Sequence, residues 1–217
     1  PATARQYTEK LAQALDTPGQ WVKPTRGVSK GTNYIAQTVR RYAQQETGHF
    51  TRMADALNAE VYARAAHLPK GTQILPEETI QALEATGVKG LRGNGVAPRY
   101  RQLRAAVTLT AEGVPGFQAI VGVTDLAAKL KQHLTDLGQR ELADGIERGS
   151  VAGDYVPHML ADKSQLDKFT LDHPGMQASA ADHPFFVHER SQPGQTIMDL
   201  VHAGYRMELD PGQLLKA

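Results

Sequence analysis

A chain of 217 residues with 41% hydrophobic side chains is long enough for one large domain or two small ones and apolar enough to bury a core, which excludes wholesale disorder. Cysteine is absent, so disulfides, thiolate metal sites and a cysteine nucleophile are excluded. The formal net charge of +1 conceals a split: residues 1–140 carry 18 Lys/Arg against 11 Asp/Glu, a net of +7, whereas residues 141–217 carry 6 against 12, a net of −6.

Residues 3–16 read as a short amphipathic helix, because Tyr7, Leu11 and Leu15 recur on one face; Pro18 and Gly19 end it. TPGQWVKPTRGVSKG (17–31) is a loop rich in Gly, Pro and Lys and holds Trp21, the only tryptophan. A long helix is predicted over about 32–66, capped by Thr32 or Asn33, with Val39, Tyr42, Phe50, Met53, Leu57 and Val61 along its apolar stripe. Gly48 is a candidate bend, and LPKG (68–71) stops the helix. ILPEETIQALEATG carries its own punctuation. Pro76 suits the first turn, Glu77 and Glu78 suit the positive end of the helix dipole, and Gly87 suits the C-terminal cap.

Residues 88–98 form a glycine-rich loop, and residues 99–110 fit either helix or strand. VTLTAEGVPGFQAIVGV (107–123) is the one β-branched region, and a buried helix over 115–122 fits it equally well. Thr124 and Asp125 cap LAAKLKQHLTDLG, which is expected to end at Gly138, with QRELADGIERG as a further helix ending near Gly149. After Gly153 the periodicity fades. A short helix is predicted at 163–170. TIMDLVHAG (196–204) is another, with Thr196 as cap, Asp199 at the third helical position and Gly204 as terminator. DPGQLLKA opens a last helix, with Asp210 as cap and Pro211 first. The start without Met and the end inside that helix fit a piece of a longer polypeptide, although trimming of a methionine before Pro1 gives the same start.

The fold class is therefore mainly α: an irregular helical bundle with an extended, loop-rich C-terminal third. The charge split suggests two parts, a helical basic domain over 1–150 and an acidic segment with short helices over 151–217, packed on the first. No apolar run reaches the roughly 18 residues of a membrane span. The N-terminal PATARQYTEK lacks the apolar core of a signal peptide.

Candidate chemistry is sparse. His158, His173, His183, His188 and His202 fall near Asp172, Asp182 and Glu189, and imidazoles with carboxylates are usual metal ligands. The spacing of His183 and His188, across Pro184 and two phenylalanines, is not a helical ligand spacing, and Asp-His-Pro at 172–174 and 182–184 is equally a turn. No Gly-x-Ser-x-Gly occurs, and GVKGLRGNG lacks the ending of a phosphate loop. No catalytic residue, metal site or cofactor is assigned.

The basic runs carry more weight. Lys23, Arg26, Arg40 and Arg41 lie in one stretch without acids, and Lys89, Arg92, Arg99, Arg101 and Arg104 lie in another. Arginines beside glycines suit backbone phosphates, and Trp21 or Tyr100 suits stacking on a base. The competing reading pairs these cations with the acidic third or with a neighbouring subunit. At the crossing between the helical and extended parts, Tyr155, Val156 and Pro157 are expected to anchor the chain. His158 is expected to bond a backbone carbonyl or a carboxylate there, and Arg190 to pair with Asp199 or Glu208.

GDYVPH (153–158), FFVHER (185–190), TIMDLVHAGYRMELDP (196–211) and QLL (213–215) together resemble a pattern of very large multidomain phage and prophage polypeptides. Asp154 between Gly and Tyr, and His-Glu-Arg in place of a more basic triplet, depart from that pattern. The resemblance covers roughly the last 65 residues. It implies an accessory helical module in a long phage polypeptide, of a kind that lies beside enzymes as often as in structural or ejected proteins. The expected setting is a virion or host cytoplasm, as part of a larger assembly with other virion or phage protein subunits as partners, and the basic runs add DNA as a candidate partner. The resemblance assigns no catalytic residue. The resulting expectation is a non-enzymatic structural or interaction module, virion-internal, ejection-related or scaffold-like. Its rival is a fragment of an enzyme with a His/Asp-rich site at 158–202, acting on nucleic acid or cell-wall polymer.

Overall fold

The computed structural model describes residues 30–143, 156–172 and 195–216. Among them are seven α-helices: α1 (Lys30–His67), α2 (Glu77–Ala85), α3 (Val96–Glu112), α4 (Thr124–Ala143), α5 (Leu166–Asp172), α6 (Ile197–His202) and α7 (Pro211–Lys216). The chain divides into two compact units, Pro1–Glu46 and Thr47–Ala217. The expected boundary near residue 150 is not where the contacts divide. Segments 156–172 and 195–216 belong to the same unit as α2, α3 and α4, and the amphipathic helix expected at 3–16 lies outside the described residues.

In the second unit, α1 buries Ala54, Leu57, Val61 and Ala65, a spacing of three and four that keeps one stripe inward. The helix passes through Gly48. It stops before Pro69, and Gly71 takes a left-handed φ of 80°. α2 follows its local signals closely. Pro76 precedes its first residue, Glu77 and Glu78 occupy the first turn, and Ile80 and Leu83 face the core. Gly87, at φ 89°, reverses the chain so that Gly87 N–H bonds Glu84 O and Val88 N–H bonds Leu83 O.

α3 is the central element. It buries nine residues of its seventeen, among them Leu103, Ala106, Val107 and Leu109. It packs against α4, α6 and α7. The helix-or-strand ambiguity over 99–110 resolves as helix. The β-branched Val107, Thr108 and Thr110 cost only tenths of a kcal/mol each in helix propensity, which burial of Val107 and Leu109 outweighs. Neither a strand nor a helix forms over 115–122. Gly113, at φ 74°, ends α3, and residues 113–123 run as a loop held by Ile120 N–H to Ile74 O at 2.8 Å.

α4 is one helix, not two, and continues past Gly138. A single interior glycine costs about 1 kcal/mol, too little to end a helix, while Leu126, Ala127, Leu130 and Leu134 hold α4 to the core.

The described parts of the C-terminal third, 156–172 and 195–216, contribute to that core. Val156, Leu160, Phe169, Ile197, Leu200, Tyr205, Met207 and Leu214 are all buried. The described residues contain no strand, only one antiparallel bridge, Leu160 with Met207, flanked by Ala161 N–H to Arg206 O and Glu208 N–H to Met159 O, each 2.8 Å. The ring of Phe169 meets that of Tyr205 edge to face at 5.0 Å. α6 opens with the expected capping box: Thr196 Oγ1 accepts from Asp199 N–H, and Asp199 accepts from Thr196 N–H at 2.7 Å. Asp210 caps α7 by accepting from Gly212 N–H at 2.9 Å.

Candidate functional site

Two polar constellations sit in the second unit, one closed and one open. The closed one is built on Glu112, the last residue of α3. Its carboxylate is 1% exposed and stands 2.6 Å from Nε2 of His158, itself 8% exposed. The same carboxylate accepts from Ile197 N–H, at 2.9 and 3.1 Å to its two oxygens. A carboxylate only accepts, so His158 donates from Nε2. Three stretches distant in sequence thus meet on one side chain: the end of α3, the segment after Val156 and the first turn of α6. The pair is almost wholly buried. The arrangement joins chain segments and leaves no room for a substrate between its members.

The remaining histidines of the 158–202 stretch divide. His202 is exposed at the end of α6, while His173, His183 and His188 lie outside the described residues, as do Tyr155 and Arg190. Pro157 is buried beside His158. Among the described residues no group of three His, Asp or Glu side chains is placed to hold a metal.

The cations separate by what they already bind. Lys23 and Arg26 lie outside the described residues, and Arg40 and Arg41 fall on α1 where only the backbone is described. Arg99 is 3% exposed, donating to Ala65 O at 3.0 Å and Asn94 O at 2.9 Å, so it is withdrawn from any ligand. Arg92 is held by Glu77 at 2.6 Å and Glu84 at 2.9 Å. Those contacts raise the guanidinium further above its already high range and lower the Glu77 carboxyl. Arg104 is ion-paired with Asp210, its guanidinium carbon lies 5.2 Å from the centre of the Tyr100 ring, and its buried Nε has no hydrogen-bond partner.

Lys89 and Arg101 remain, and the structure adds Arg206. With Arg104 they line an open cleft of about 260 Å³ whose apolar walls include Leu83, Leu91, Ala105 and Met207. Arg101 donates to Gly90 O at 3.2 Å, while among the described residues the Lys89 ammonium and the Arg206 guanidinium make no hydrogen bond or close ion pair, although, with the Ser164 hydrogen bonds, the Arg206 charge helps to lower the Asp162 carboxyl. Gly90 is favoured here by its backbone, and a side chain there would displace the tip of Arg101. Its φ is 75°, and a Cβ would stand 2.3 Å from Arg101 Nη1. Glu208 and Asp210 are the acids of the cleft. Burial, helped by the nearby Asp210 charge, pushes the Glu208 carboxyl above its ordinary range, against the opposing pull of Asp210 N–H and Arg104. Four cations against two carboxylates leave the lining positive.

Beside the cleft runs a short aromatic row. Tyr62 of α1 is 53% exposed and packs edge to face on Tyr100 at 5.4 Å, and Tyr100 in turn carries Arg104. Sequence reading singled out Tyr100, Lys89, Arg101 and Arg104 but missed Tyr62, Glu112 and, as a cleft residue, Arg206. The i, i+4 spacing of Tyr100 and Arg104 on α3 was the one available signal for the row. Comparison with family models, with curated proteins and with solved structures finds no match to this chain.

Proposed function

We propose that the chain is a non-enzymatic interaction module that works by contact, and that its second unit holds a polyanion, DNA foremost, on the face around Lys89, Arg101 and Arg206. The observation that carries this reading is the set of cations gathered from three chain segments at one cleft, none of them but Arg104 in a close ion pair among the described residues. Several other cations among the described residues are held by carboxylates: Arg64 by Asp125, Lys129 by Glu60, Arg92 by Glu77 and Glu84. Cations left without partners favour a ligand that brings its own negative charge. The buried Glu112–His158 pair joins chain segments. The C-terminal sequence pattern supports placing such a module in a large phage or prophage polypeptide, in a virion or in the host cytoplasm, alongside other subunits. No helix among the described residues is long and apolar enough to cross a membrane.

The test is duplex-DNA binding by fluorescence anisotropy across a salt series. Affinity is expected to fall steeply with salt, and the Lys89→Ala, Arg101→Ala, Arg206→Ala triple variant is expected to flatten the log–log slope by about 2–3. Arg92→Ala, whose cation is held by two carboxylates, should leave the slope in place. Salt-independent binding, an unchanged slope in the triple variant, or no binding to duplex and single strand alike refutes the reading.

A further inference from the structure

The aromatic row and the cationic cleft are contiguous, because Arg104 belongs to both. From that juxtaposition we infer that this face takes single-stranded nucleic acid in preference to duplex, with a base stacked on Tyr62 and neighbouring phosphates held by Lys89, Arg101 and Arg206. The inference rests on the polyanion reading and narrows it to one ligand class.

The two tyrosine rings cross at 72°. In an edge-to-face pair the ring that offers its edge keeps both faces free and the other keeps one. Tyr62 therefore has at least one face clear of Tyr100 whichever role it plays, and it is the half of the pair that solvent reaches. Tyr100 is half-buried between Tyr62 and Arg104 and acts as the support that holds the outer ring. Stacking on a fixed ring loses little side-chain entropy, and base–aromatic stacking is worth about 1–3 kcal/mol per base. A duplex keeps its base faces inside, so Tyr62 adds nothing to duplex binding.

The Tyr62 ring also lies near the cleft, measured to Arg104 on its lining. The steps from Tyr62 to Tyr100 and from Tyr100 to Arg104 are 5.4 and 5.2 Å, so the ring and the guanidinium are at most 10.6 Å apart. That is about three nucleotide steps at the ~3.4 Å rise of a stacked strand, and fewer in a stretched one. The cleft is also small. At about 260 Å³ it lies below the ~300–1,000 Å³ of pockets that enclose a whole small molecule. It suits one phosphate and its sugar on a chain that continues past it, with Leu91 and Met207 as apolar wall.

The experiment uses the full 217-residue chain and three probes of equal length: an oligothymidylate, an oligouridylate and a mixed-sequence duplex. Anisotropy is read at about 50 and 200 mM salt. Either single strand is expected to bind at least about tenfold tighter than duplex, and the ratio between the two single strands identifies the preferred sugar. Tyr62→Ala should lower single-strand affinity by about 5- to 150-fold, the range that one stacked base supplies. It should leave duplex affinity and the salt slopes unchanged. Tyr62→Trp should restore or exceed parental single-strand binding. Because Tyr62 is more than half exposed, the Ala variant should melt with the parent, and a melting scan checks this. Salt-dependent binding with duplex equal to single strand, or a Tyr62→Ala variant with parental single-strand affinity, overturns this inference and leaves the polyanion reading standing. Failure of all three probes to bind with a salt slope overturns both.

Discussion

Removing the Glu112 carboxylate tests whether the segment crossing is held by its buried hydrogen bonds. In Glu112→Leu the side chain keeps similar bulk but offers no acceptor, so His158 Nε2–H and Ile197 N–H are both left buried without partners. Each unmet buried donor costs about 1–3 kcal/mol, and breaking a buried ionisable pair from one side costs about 3–5 kcal/mol. The two figures describe the same loss, so the expected penalty is about 3–5 kcal/mol, a large share of the ~5–15 kcal/mol that holds a typical domain. For a unit of this size each kcal/mol shifts the midpoint by about 2–4 °C, giving a fall of about 6–20 °C. Circular dichroism and scanning calorimetry at neutral pH measure it. Glu112→Gln keeps an oxygen for Ile197 N–H but loses the charge-assisted bond, so its cost should be about 1–2 kcal/mol. Amide exchange adds a local readout, since the Ile197 N–H should exchange with the core in the parent and far faster in Glu112→Leu. A Leu variant that melts within about 2 °C of the parent, a shift worth no more than ~1 kcal/mol, would refute the reasoning.

Gly212→Ala should change sign with its neighbour. A Cβ there would stand 2.1 Å from Asn58 Nδ2 and 2.8 Å from its Cγ, so the variant is destabilised by about 1–3 kcal/mol in the parent. In an Asn58→Ala background the same change should stabilise by up to about 1 kcal/mol, the helix-propensity gain of Ala over Gly; thermal melts of the four chains decide it, and one sign in both backgrounds refutes the contact. The Arg64 guanidinium beside Asp125 lowers that carboxyl to about 2. Stabilisation from a lowered carboxylate is complete above its ordinary range and is lost as pH falls towards about 2, and solvent exposure of both partners keeps it below ~1 kcal/mol. A carbon-detected titration should find the midpoint near 2, and Arg64→Ala should return it to the ordinary range; a parental midpoint near ~4 counts against the pair.

What could be read from the sequence follows the range of the forces involved. α2, α6 and α7 are set by neighbours a few residues away: Pro76 and Gly87, Thr196 and Asp199, Asp210 and Pro211. Their ends were therefore visible in a string of letters. The course of 99–123 was not, because the choice of helix for Val107–Thr110 depends on burial against α4, α6 and α7, and on Thr108 Oγ1 donating to Leu209 O across 101 positions. Gly138 looked like a terminator because its cost is local, whereas the burial of Leu130 and Leu134 that carries α4 onward is tertiary. His158 drew notice as a lone histidine next to proline, but its partner stands 46 residues earlier, at a separation no periodicity records.

The charge split illustrates why composition alone stopped short of a site. Two readings competed for the basic run between Glu84 and Glu112: attraction to the acidic third, and contact with an external polyanion. The structure divides the run residue by residue. Arg104 joins Asp210, which is the intramolecular attraction in a single pair. Arg92 turns back to α2 and Arg99 to main-chain oxygens, uses that neither reading foresaw. Lys89 and Arg101 face an open cleft that Arg104 also lines, and there the acidic third supplies another cation, Arg206, beside its two carboxylates. A segment of net −6 thus contributes positive charge to a cleft lined by four cations. That local sign follows from the bridge between Leu160 and Met207, which lays residue 206 against the α2–α3 side of the cleft. Net charge per segment is a sum over all faces, whereas a ligand meets one face, and only the pairing of chain segments decides which residues share it.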